Sequence, residues 1–251
     1  MPSEMADILF LGYALLAVLL LVVANALVRS FLEARARQRL LHLFGQYAPP
    51  QVVESLDKRP KSPRGEAREL TVLFADIKNF TAISEQMEAG LLMELLNAYF
   101  LVVTDILHRH GATLDKYMGD GVMAFWGASS SQPDHAQRAV VSAIDIQKAL
   151  VDLRREFRAK GWPEITVGIG INTGVMQVGY LGSRLRLSYT VIGDAVNLAF
   201  RLERLTRNYD APIIVSESTR RAFPEMSFRE LGLVEIKGKP DATRIYEPIV
   251  L

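Results

Sequence analysis

The feature that most constrains the fold is the segment Leu114–Trp126, where two short apolar runs flank Met-Gly-Asp-Gly. Both runs are rich in residues that favour strands, and Gly-Asp-Gly is typical of a tight turn. The segment therefore predicts a β-hairpin with Asp120 at its tip. A lone Asp-Gly is usually a turn former. The alternative is that Asp120 is a ligand at the rim of a buried core.

A second apolar run, Leu70–Ile77, also reaches an acid, Asp76, and a polar turn follows it. If both runs lie in one sheet, Asp76 and Asp120 are side by side at one edge. Two unpaired carboxylates in that position repel each other and raise each other's pKa. Magnesium removes this repulsion and is bound by one or two carboxylates plus substrate phosphates. Two such ions serve in-line phosphoryl chemistry.

The order of the elements predicts an α+β fold. A strand ends at Asp76, helices fill 81–110 with Gly111 as the C-terminal cap, and the hairpin spans 112–126. A helix N-capped by Asp134 and a strand over 165–172 complete a β-α-β-β-α-β unit, which is the ferredoxin-like arrangement with helices on one face of an antiparallel sheet. The expected later elements are a strand over 175–180, a helix over 194–207, a strand over 212–215 and C-terminal strands.

The run Gly168-Ile-Gly-Ile-Asn-Thr-Gly174 resembles a dinucleotide-binding loop only superficially. Position 173 is Thr where that pattern needs Gly, and the glycines lie within a predicted strand rather than at the start of a helix. We therefore expect these glycines to allow close packing of neighbouring backbone.

The N-terminal segment Ile8–Val28 is almost uninterrupted in its apolar character. About 20 such residues span a bilayer as a helix. A cleaved signal peptide is the alternative, but Glu4 and Asp7 precede the run and no Lys or Arg does. We expect a retained membrane helix within residues 1–28. The arginines that follow, beginning with Arg29, place the C-terminal side in the cytoplasm.

Three further boundaries follow from composition. Residues 29–56 form a helical stalk with an apolar stripe, which is either a parallel dimer stalk or a stem lying on the domain. Residues 57–68 are a basic, proline-interrupted linker. Residues 69–251 form the soluble domain.

Charge and residue usage exclude several classes of function. The 29 basic and 28 acidic residues nearly balance, so nothing indicates a nucleic-acid partner. The absence of cysteine excludes disulfides, thiolate metal sites and a cysteine nucleophile. The four histidines match no zinc-binding spacing.

Three segments together resemble the signature blocks of class III nucleotidyl cyclases: Phe74–Thr81, Lys116–Gly121 and Tyr189–Glu203. The resemblance covers residues 70–251, and residues 41–53 resemble the lead-in of many bacterial members. It implies a ferredoxin-like class III cyclase catalytic domain. The implied reaction converts a nucleoside triphosphate into its 3′,5′-cyclic monophosphate with loss of pyrophosphate.

The resemblance also implies roles for the acids of the first two blocks. Asp76 and Asp120 would hold two Mg²⁺ or Mn²⁺ ions with help from the Ile77 carbonyl, while the 3′-hydroxyl attacks the α-phosphorus. Phe80 and Thr81 would contact the substrate.

Base recognition is implied for Lys116 and Thr190. Adenine N1 is an acceptor and suits the Lys116 ammonium, whereas guanine N1 carries a hydrogen. Thr190 stands where many adenylyl cyclases have Asp, and its hydroxyl can accept a hydrogen bond from adenine N6. A subgroup of bacterial-type cyclases has Thr at this position, and the substitution leaves the preference for ATP over GTP open.

Asn197 and Arg201 are four residues apart and therefore share a helix face. In the family the Asn orients the ribose, and the Arg stabilises transition-state charge on the α-phosphate. Lys237, with Lys239 as the alternative, resembles the lysine that contacts the β- and γ-phosphates.

Family members place the two halves of each site on opposite subunits of a head-to-tail homodimer, and this chain carries both halves. Residues 181–189 resemble the arm that crosses the dimer. The expected function is therefore a membrane-anchored homodimeric adenylyl cyclase. The alternatives are a guanylyl or relaxed-specificity cyclase and a non-catalytic dimerisation or nucleotide-sensing module.

Overall fold

The computed structural model describes residues 65–128, 132–183, 186–235 and 242–249, together with scattered helical positions between 23 and 35. The strands and helices are β1 Glu66–Ile77, α1 Phe80–Gln86, α2 Ala89–Arg109, β2 Thr113–Met118, β3 Gly121–Trp126, α3 His135–Ala159, β4 Val167–Gly182, β5 Leu187–Ile192, α4 Asp194–Leu205, β6 Ile213–Ser216, α5 Glu217–Arg221, β7 Phe228–Val234 and β8 Thr243–Pro248.

The chain divides into two units, residues 1–59 and residues 60–251. In the first unit, the described positions from Val23 to Arg35 are helical and exposed. The Arg35 guanidinium lies 4.7 Å from the centroid of the Phe31 ring. Most of the predicted membrane helix and stalk, and most of the linker, lie outside the described residues.

The second unit is built on one sheet with the strand order β2-β3-β1-β4-β6-β8-β7, and β5 pairs with β4. β1 is antiparallel to both β3 and β4, and β2 is antiparallel to β3. Two helices connect β1 to β2, and α3 connects β3 to β4. These first four strands confirm the predicted ferredoxin-like order.

The sheet has a packed core on each face because side chains alternate along β1. Leu73, Ala75 and Ile77 are buried in the cluster that includes the apolar faces of α2 and α3. Val72 and Phe74 point the other way and pack with residues of β5 and α4. The predicted placement of helices on one face therefore holds for α2 and α3, while α4 covers the opposite face.

Helix α2 is long and apolar enough to span a bilayer by length and composition, and within the described part of the chain it alone meets that test. One of its faces nevertheless lies in the core of the domain, where Leu95, Tyr99 and Val103 are fully buried. Its apolar character is accounted for in part by this packing.

Two predicted helix ends are confirmed. Gly111 has a φ of 72° just after the last turn of α2, which is the left-handed conformation expected of a glycine cap. Asp134 precedes α3 as its N-cap residue, but its side chain makes no capping hydrogen bond. Instead the Asp134 carboxylate pairs with Arg138 at 2.9 Å, one helical turn along.

The prediction of two strands over 165–172 and 175–180 is wrong, because β4 is one continuous strand of 16 residues. The sequence Thr173-Gly174 indicates a turn between two strands, yet both residues remain paired with β1, opposite Thr71 and Leu70. Near its C-terminal end, from Gln177 onward, β4 also pairs with β5. The long-range pairing of β1 thus overrides the local turn signal.

Gly168 and Gly170 of β4 lie against α4 with no room for side chains. A Cβ atom at Gly170 would lie 2.1 Å from the backbone nitrogen of Glu203 and 2.4 Å from the carbonyl oxygen of Ala199. A Cβ atom at Gly168 would lie 2.1 Å from the Thr206 hydroxyl. The expectation that these glycines serve close backbone packing is confirmed.

We predict that Gly170→Ala destabilises the domain by about 3 kcal/mol or more, since the added methyl group meets backbone that cannot rotate away. Unfolding in urea measures the difference. Gly174→Ala is the matched control on the same strand, because its Cβ would lie 3.1 Å from the Ala195 side chain rather than inside backbone. A loss at Gly170 no larger than at Gly174 would contradict the prediction.

Candidate active site

Two acids meet at one edge of the sheet. Asp76 lies near the end of β1, and Asp120 lies in the turn between β2 and β3. Because β1 and β3 are neighbours, the two carboxylates are adjacent, and Asp120 also accepts a hydrogen bond of 3.1 Å from the Ile77 backbone N–H. Burial and the Asp76 carboxylate raise the pKa of Asp120 to about 6. The structure thus brings together Asp76, Ile77 and Asp120 as the sequence predicted.

Gly121 follows Asp120 and leaves space for this pair. A Cβ atom at Gly121 would lie 3.2 Å from Oδ1 of Asp76, which is tighter than ordinary van der Waals contact. A side chain here would press on the first acid. The glycine therefore serves the site as well as the turn.

A third acid, Glu203 of α4, lies beneath the pair and was not anticipated from the sequence. Its residue surface is 1% exposed, and its Oε1 atom has no hydrogen-bond partner. Burial, with a further contribution from Asp76, raises its pKa to about 7. The sequence did contain a signal: Glu203 interrupts the stripe Val196, Ala199, Thr206 that α4 buries.

Arg207 is a cation in contact with this cluster. Its Nη2 atom lies 2.9 Å from Oδ2 of Asp76 and 3.8 Å from Oε1 of Glu203. The buried Tyr99 hydroxyl has no hydrogen-bond partner, and burial together with Asp76 raises its pKa, so it stays neutral. Arg207 therefore offsets only part of the charge of three clustered acids.

Lys78 and Asn79 shape the turn after β1. Asn79 has a φ of 59°, a left-handed conformation that Asn tolerates better than most residues. Phe80 and Thr81 then begin α1, with Phe80 partly buried and Thr81 exposed. Lys78 is partly buried, and its Nζ donates a 2.9 Å hydrogen bond to the Thr206 carbonyl oxygen.

A second group of polar residues joins β2 to β5. The Thr190 hydroxyl donates to Oδ2 of Asp115 at 2.5 Å, and Nζ of Lys116 lies 3.5 Å from Oδ1 of the same carboxylate. The structure therefore brings Lys116 and Thr190 together through Asp115. Sequence reasoning missed Asp115, because the strand register shifts between Leu114 and Lys116, and alternation of side chains does not reveal such a bulge.

Asn197 and Arg201 lie on α4, one turn apart as predicted. Asn197 is exposed and Arg201 is partly exposed, whereas Glu203 of the same helix is buried. The side of α4 that carries Glu203 thus packs against the sheet of the same subunit, and the opposite side carries Asn197 and Arg201. Lys237 and Lys239 lie outside the described residues.

Large apolar side chains are exposed near these residues. The predicted arm, residues 181–189, forms the end of β4 and the start of β5, and its Arg184 is outside the described residues. Exposed fractions on this hairpin and on the adjoining helix are high: Val175 66%, Leu187 64%, Leu181 56%, Ile192 51% and Phe200 44%.

The donor set at the acid pair consists of oxygen atoms, which suits hard divalent cations. In the described part of the chain, no group of three or more His, Asp and Glu side chains converges on one point as a closed metal cage would. Two carboxylates fit the alternative arrangement, in which substrate phosphates complete the coordination.

We predict that Asp120→Asn stabilises the metal-free protein by about 1 kcal/mol, or about 2–4 °C in Tm. The amide still accepts from the Ile77 N–H, and its NH₂ group can donate to Asp76, where two carboxylates now repel. Thermal unfolding in a chelator measures the change. Asp152→Asn is the control, because that side chain is 76% exposed on α3. A lower Tm for Asp120→Asn would contradict the prediction.

Comparison with known proteins agrees with this architecture. Residues 63–247 match the family described as adenylate and guanylate cyclase catalytic domain. "Adenylate cyclase 1" of Rhizobium meliloti is 33% identical over 218 residues, which cover 86% of this chain and 33% of that protein. The chain thus spans about a third of that relative's length.

Solved structures agree as well. The adenylyl cyclase CyaB from P. aeruginosa has a TM-score of 0.70 and 37% identity, covering 74% of this chain and 96% of CyaB. The guanylyl cyclase Cya2 has a TM-score of 0.68 and 34% identity, covering 73% and 93%. Because the family match at residues 63–247 includes every strand of the sheet, the chain belongs to the adenylate and guanylate cyclase catalytic domain family.

Proposed function

We propose that the protein is an adenylyl cyclase that converts ATP to 3′,5′-cyclic AMP and pyrophosphate at a homodimer interface. The observation that carries the proposal is the adjacent pair Asp76 and Asp120 at the sheet edge. The similarity to adenylyl cyclases supports the choice of reaction.

The residues present fit the divalent metals of the family. Asp76 and Asp120, with the Ile77 carbonyl, would hold two Mg²⁺ or Mn²⁺ ions. When bound, these ions lower the pKa of the attacking hydroxyl and offset charge on the phosphates. Glu203 lies behind Asp76, and Arg207 neutralises only part of the charge of these two acids. The protein itself therefore supplies a negative potential that favours cations at the acid pair.

Asn197 and Arg201 act on the sugar and the reacting phosphate. The Asn197 amide orients the ribose so that the 3′-hydroxyl faces the α-phosphorus. The Arg201 guanidinium donates to α-phosphate oxygens, where negative charge grows in the transition state. Loss of such a donor lowers the rate by about 100- to 1000-fold. Phe80, Thr81 and Lys237 are proposed as further substrate contacts.

The outward placement of Asn197 and the inward placement of Glu203 on the same helix support a homodimer. We propose that Asn197 and Arg201 of one subunit serve the acid pair of the other. The exposed apolar side chains of the β4–β5 hairpin, including Leu181 and Leu187, supply a surface that such a dimer would bury.

ATP is favoured over GTP by Lys116, whose ammonium group is a donor and suits adenine N1. We propose that the chain belongs to the subgroup that reads adenine with Thr190 in place of Asp. The similarity to the guanylyl cyclase Cya2 supports one rival, a cyclase of relaxed specificity. A non-catalytic module is the less favoured rival, because the acids, the Asn and the Arg are all present.

We propose that the catalytic domain, residues 69–251, is tethered to the cytoplasmic face of the membrane by residues 1–28 through the stalk 29–56 and the linker 57–68. The support is the apolar run itself. Val23 and Val28, which are helical and exposed in their own unit, agree with it.

The first test is turnover by the full chain supplied with ATP or GTP and Mn²⁺. We expect cyclic AMP as the main product, and a loss of at least 100-fold in Asp120→Ala and Arg201→Ala, because each removes a charge needed in the transition state. Asp152→Asn is the control, because the Asp152 side chain is exposed on the outer face of α3. If the parent is folded and dimeric but makes no cyclic nucleotide, the proposed cyclase activity is excluded.

Mixing the two inactive variants tests the shared site. Asp120→Ala and Arg201→Ala damage different halves, so a mixed dimer retains one intact site of two. We expect up to about a quarter to a half of parental activity on mixing, depending on how the subunits exchange. Continued inactivity of a mixture shown to contain mixed dimers would argue for sites formed within one subunit.

Membrane attachment is tested by carbonate extraction of cells that express the full chain. We expect the protein to stay in the membrane pellet, and Leu16→Arg combined with Leu19→Arg to release it, because each arginine at the helix centre costs about 2.5–3.5 kcal/mol of insertion free energy. Release of the parent by carbonate would contradict a spanning helix.

A further inference from the structure

Asp115 lies between the two residues proposed to read the base. The strand register shifts at this point, with Leu114 opposite Ala124 and Lys116 opposite Met123. A bulge of this kind places an extra residue against its partner strand and redirects a side chain. Here the Asp115 side chain has 0% exposure while that of its neighbour Lys116 has 46%.

The contacts of Asp115 have a defined polarity. The Thr190 hydroxyl donates to Oδ2 of the carboxylate. Oδ1 has no hydrogen bond and faces the Lys116 ammonium at 3.5 Å. Burial raises the pKa of Asp115, and the Thr190 hydrogen bond and the Lys116 charge both oppose that rise.

The hydroxyl of Thr190 therefore has its role fixed by its neighbour. A threonine hydroxyl carries one hydrogen and two lone pairs, and an ionised carboxylate can only accept. With its hydrogen directed to Asp115, the Thr190 oxygen can only accept from any other group. A base facing it must bring a donor.

We propose that Asp115 is a positioning residue that fixes Thr190 as an acceptor and so makes the site select a 6-aminopurine over a 6-oxopurine. The inference rests on the proposed cyclase function. Adenine brings an amino hydrogen to Thr190 and the N1 lone pair to Lys116. Guanine brings O6 and N1–H, so an acceptor meets Thr190 and a donor meets Lys116.

A purely structural tie between β2 and β5 is the competing explanation, since Thr190 has only 4% of its surface exposed. The two explanations differ in one measurable quantity. Loss of a structural tie lowers kcat/KM for every nucleotide alike, whereas a change in hydroxyl polarity alters the ratio of kcat/KM for ATP to that for GTP.

Asp115→Asn in the full chain is the test. The Lys116 ammonium attracts the oxygen of the substituted amide, which turns the NH₂ group of that amide toward Thr190. The Thr190 hydroxyl then accepts a hydrogen bond from the amide and directs its own hydrogen to the base. We expect the ratio of kcat/KM for ATP to that for GTP to fall about tenfold, the effect of reversing one hydrogen bond.

Thr190→Val supplies the matched background, because it removes the hydroxyl and keeps the shape. In that background Asp115→Asn should leave the ATP-to-GTP ratio unchanged, whereas Thr190→Ser should keep the parental sensitivity to Asp115→Asn. If Asp115→Asn changed the ATP-to-GTP ratio equally in the parent and in the Thr190→Val background, the proposal would be overturned.

A measurement on the unmodified full chain keeps the proposal testable if Asp115→Asn does not fold. Purine riboside triphosphate lacks the 6-amino group of ATP. We expect its kcat/KM to be about tenfold below that of ATP, and the difference to vanish in Thr190→Val. Equal use of both nucleotides by the parent would overturn the proposal.

The outcomes separate the two levels of inference. A parent that makes no cyclic nucleotide from any purine overturns the proposed function and this proposal with it. A parent that makes cyclic AMP, with an unchanged ATP-to-GTP ratio in a folded Asp115→Asn variant, overturns the role of Asp115 alone.

Discussion

The repulsion between two adjacent carboxylates is the constraint on which the rest of the site depends. Asp76 and Asp120 meet because β1 and β3 are neighbours, and a third acid, Glu203, is buried behind them. Arg207 and the Ile77 N–H offset part of this charge. Few folds would retain such a cluster for stability, since burying acids with too few partners is unfavourable. On the proposed function, the cluster attracts cations to a fixed place beside a bound triphosphate.

On the proposed function, base recognition also depends on a buried acid that has few hydrogen-bond partners. The bulge in β2 turns Asp115 inward and leaves Lys116 outward, so consecutive residues reach opposite environments. A serine or threonine hydroxyl is ambiguous on its own, because it can donate or accept. A buried acid beside it removes that ambiguity. On the proposed function, the choice of nucleotide is set partly by a residue that acts on the base only through its neighbour.

The sequence predicts best what short-range chemistry determines. The hairpin and the glycine cap at 111 follow from turn residues and are confirmed. The meeting of Asp76 and Asp120 was also predictable, because a ferredoxin-like order makes their strands neighbours. The inward turn of Asp115 depends on strand register, which no local pattern encodes. The burial of Glu203 depends on how α4 packs against the sheet, and its position within the buried stripe of the helix was the one local signal of it. Long-range pairing likewise turned two predicted strands into the single strand β4.

The contact between β4 and α4 has a mechanical consequence. At Gly170 the backbone of β4 meets the backbone of α4 directly, and at Gly168 it lies against the Thr206 side chain, so neither glycine adds a side chain that could yield between the two elements. β1 pairs with β4 along the whole length of β1, so Asp76 and the helix bearing Asn197 and Arg201 belong to one stiff body. Deforming one protomer to tune the separation of these groups would strain backbone hydrogen bonds. In the proposed dimer, a signal would act more readily through a rigid-body rotation of one catalytic domain relative to the other.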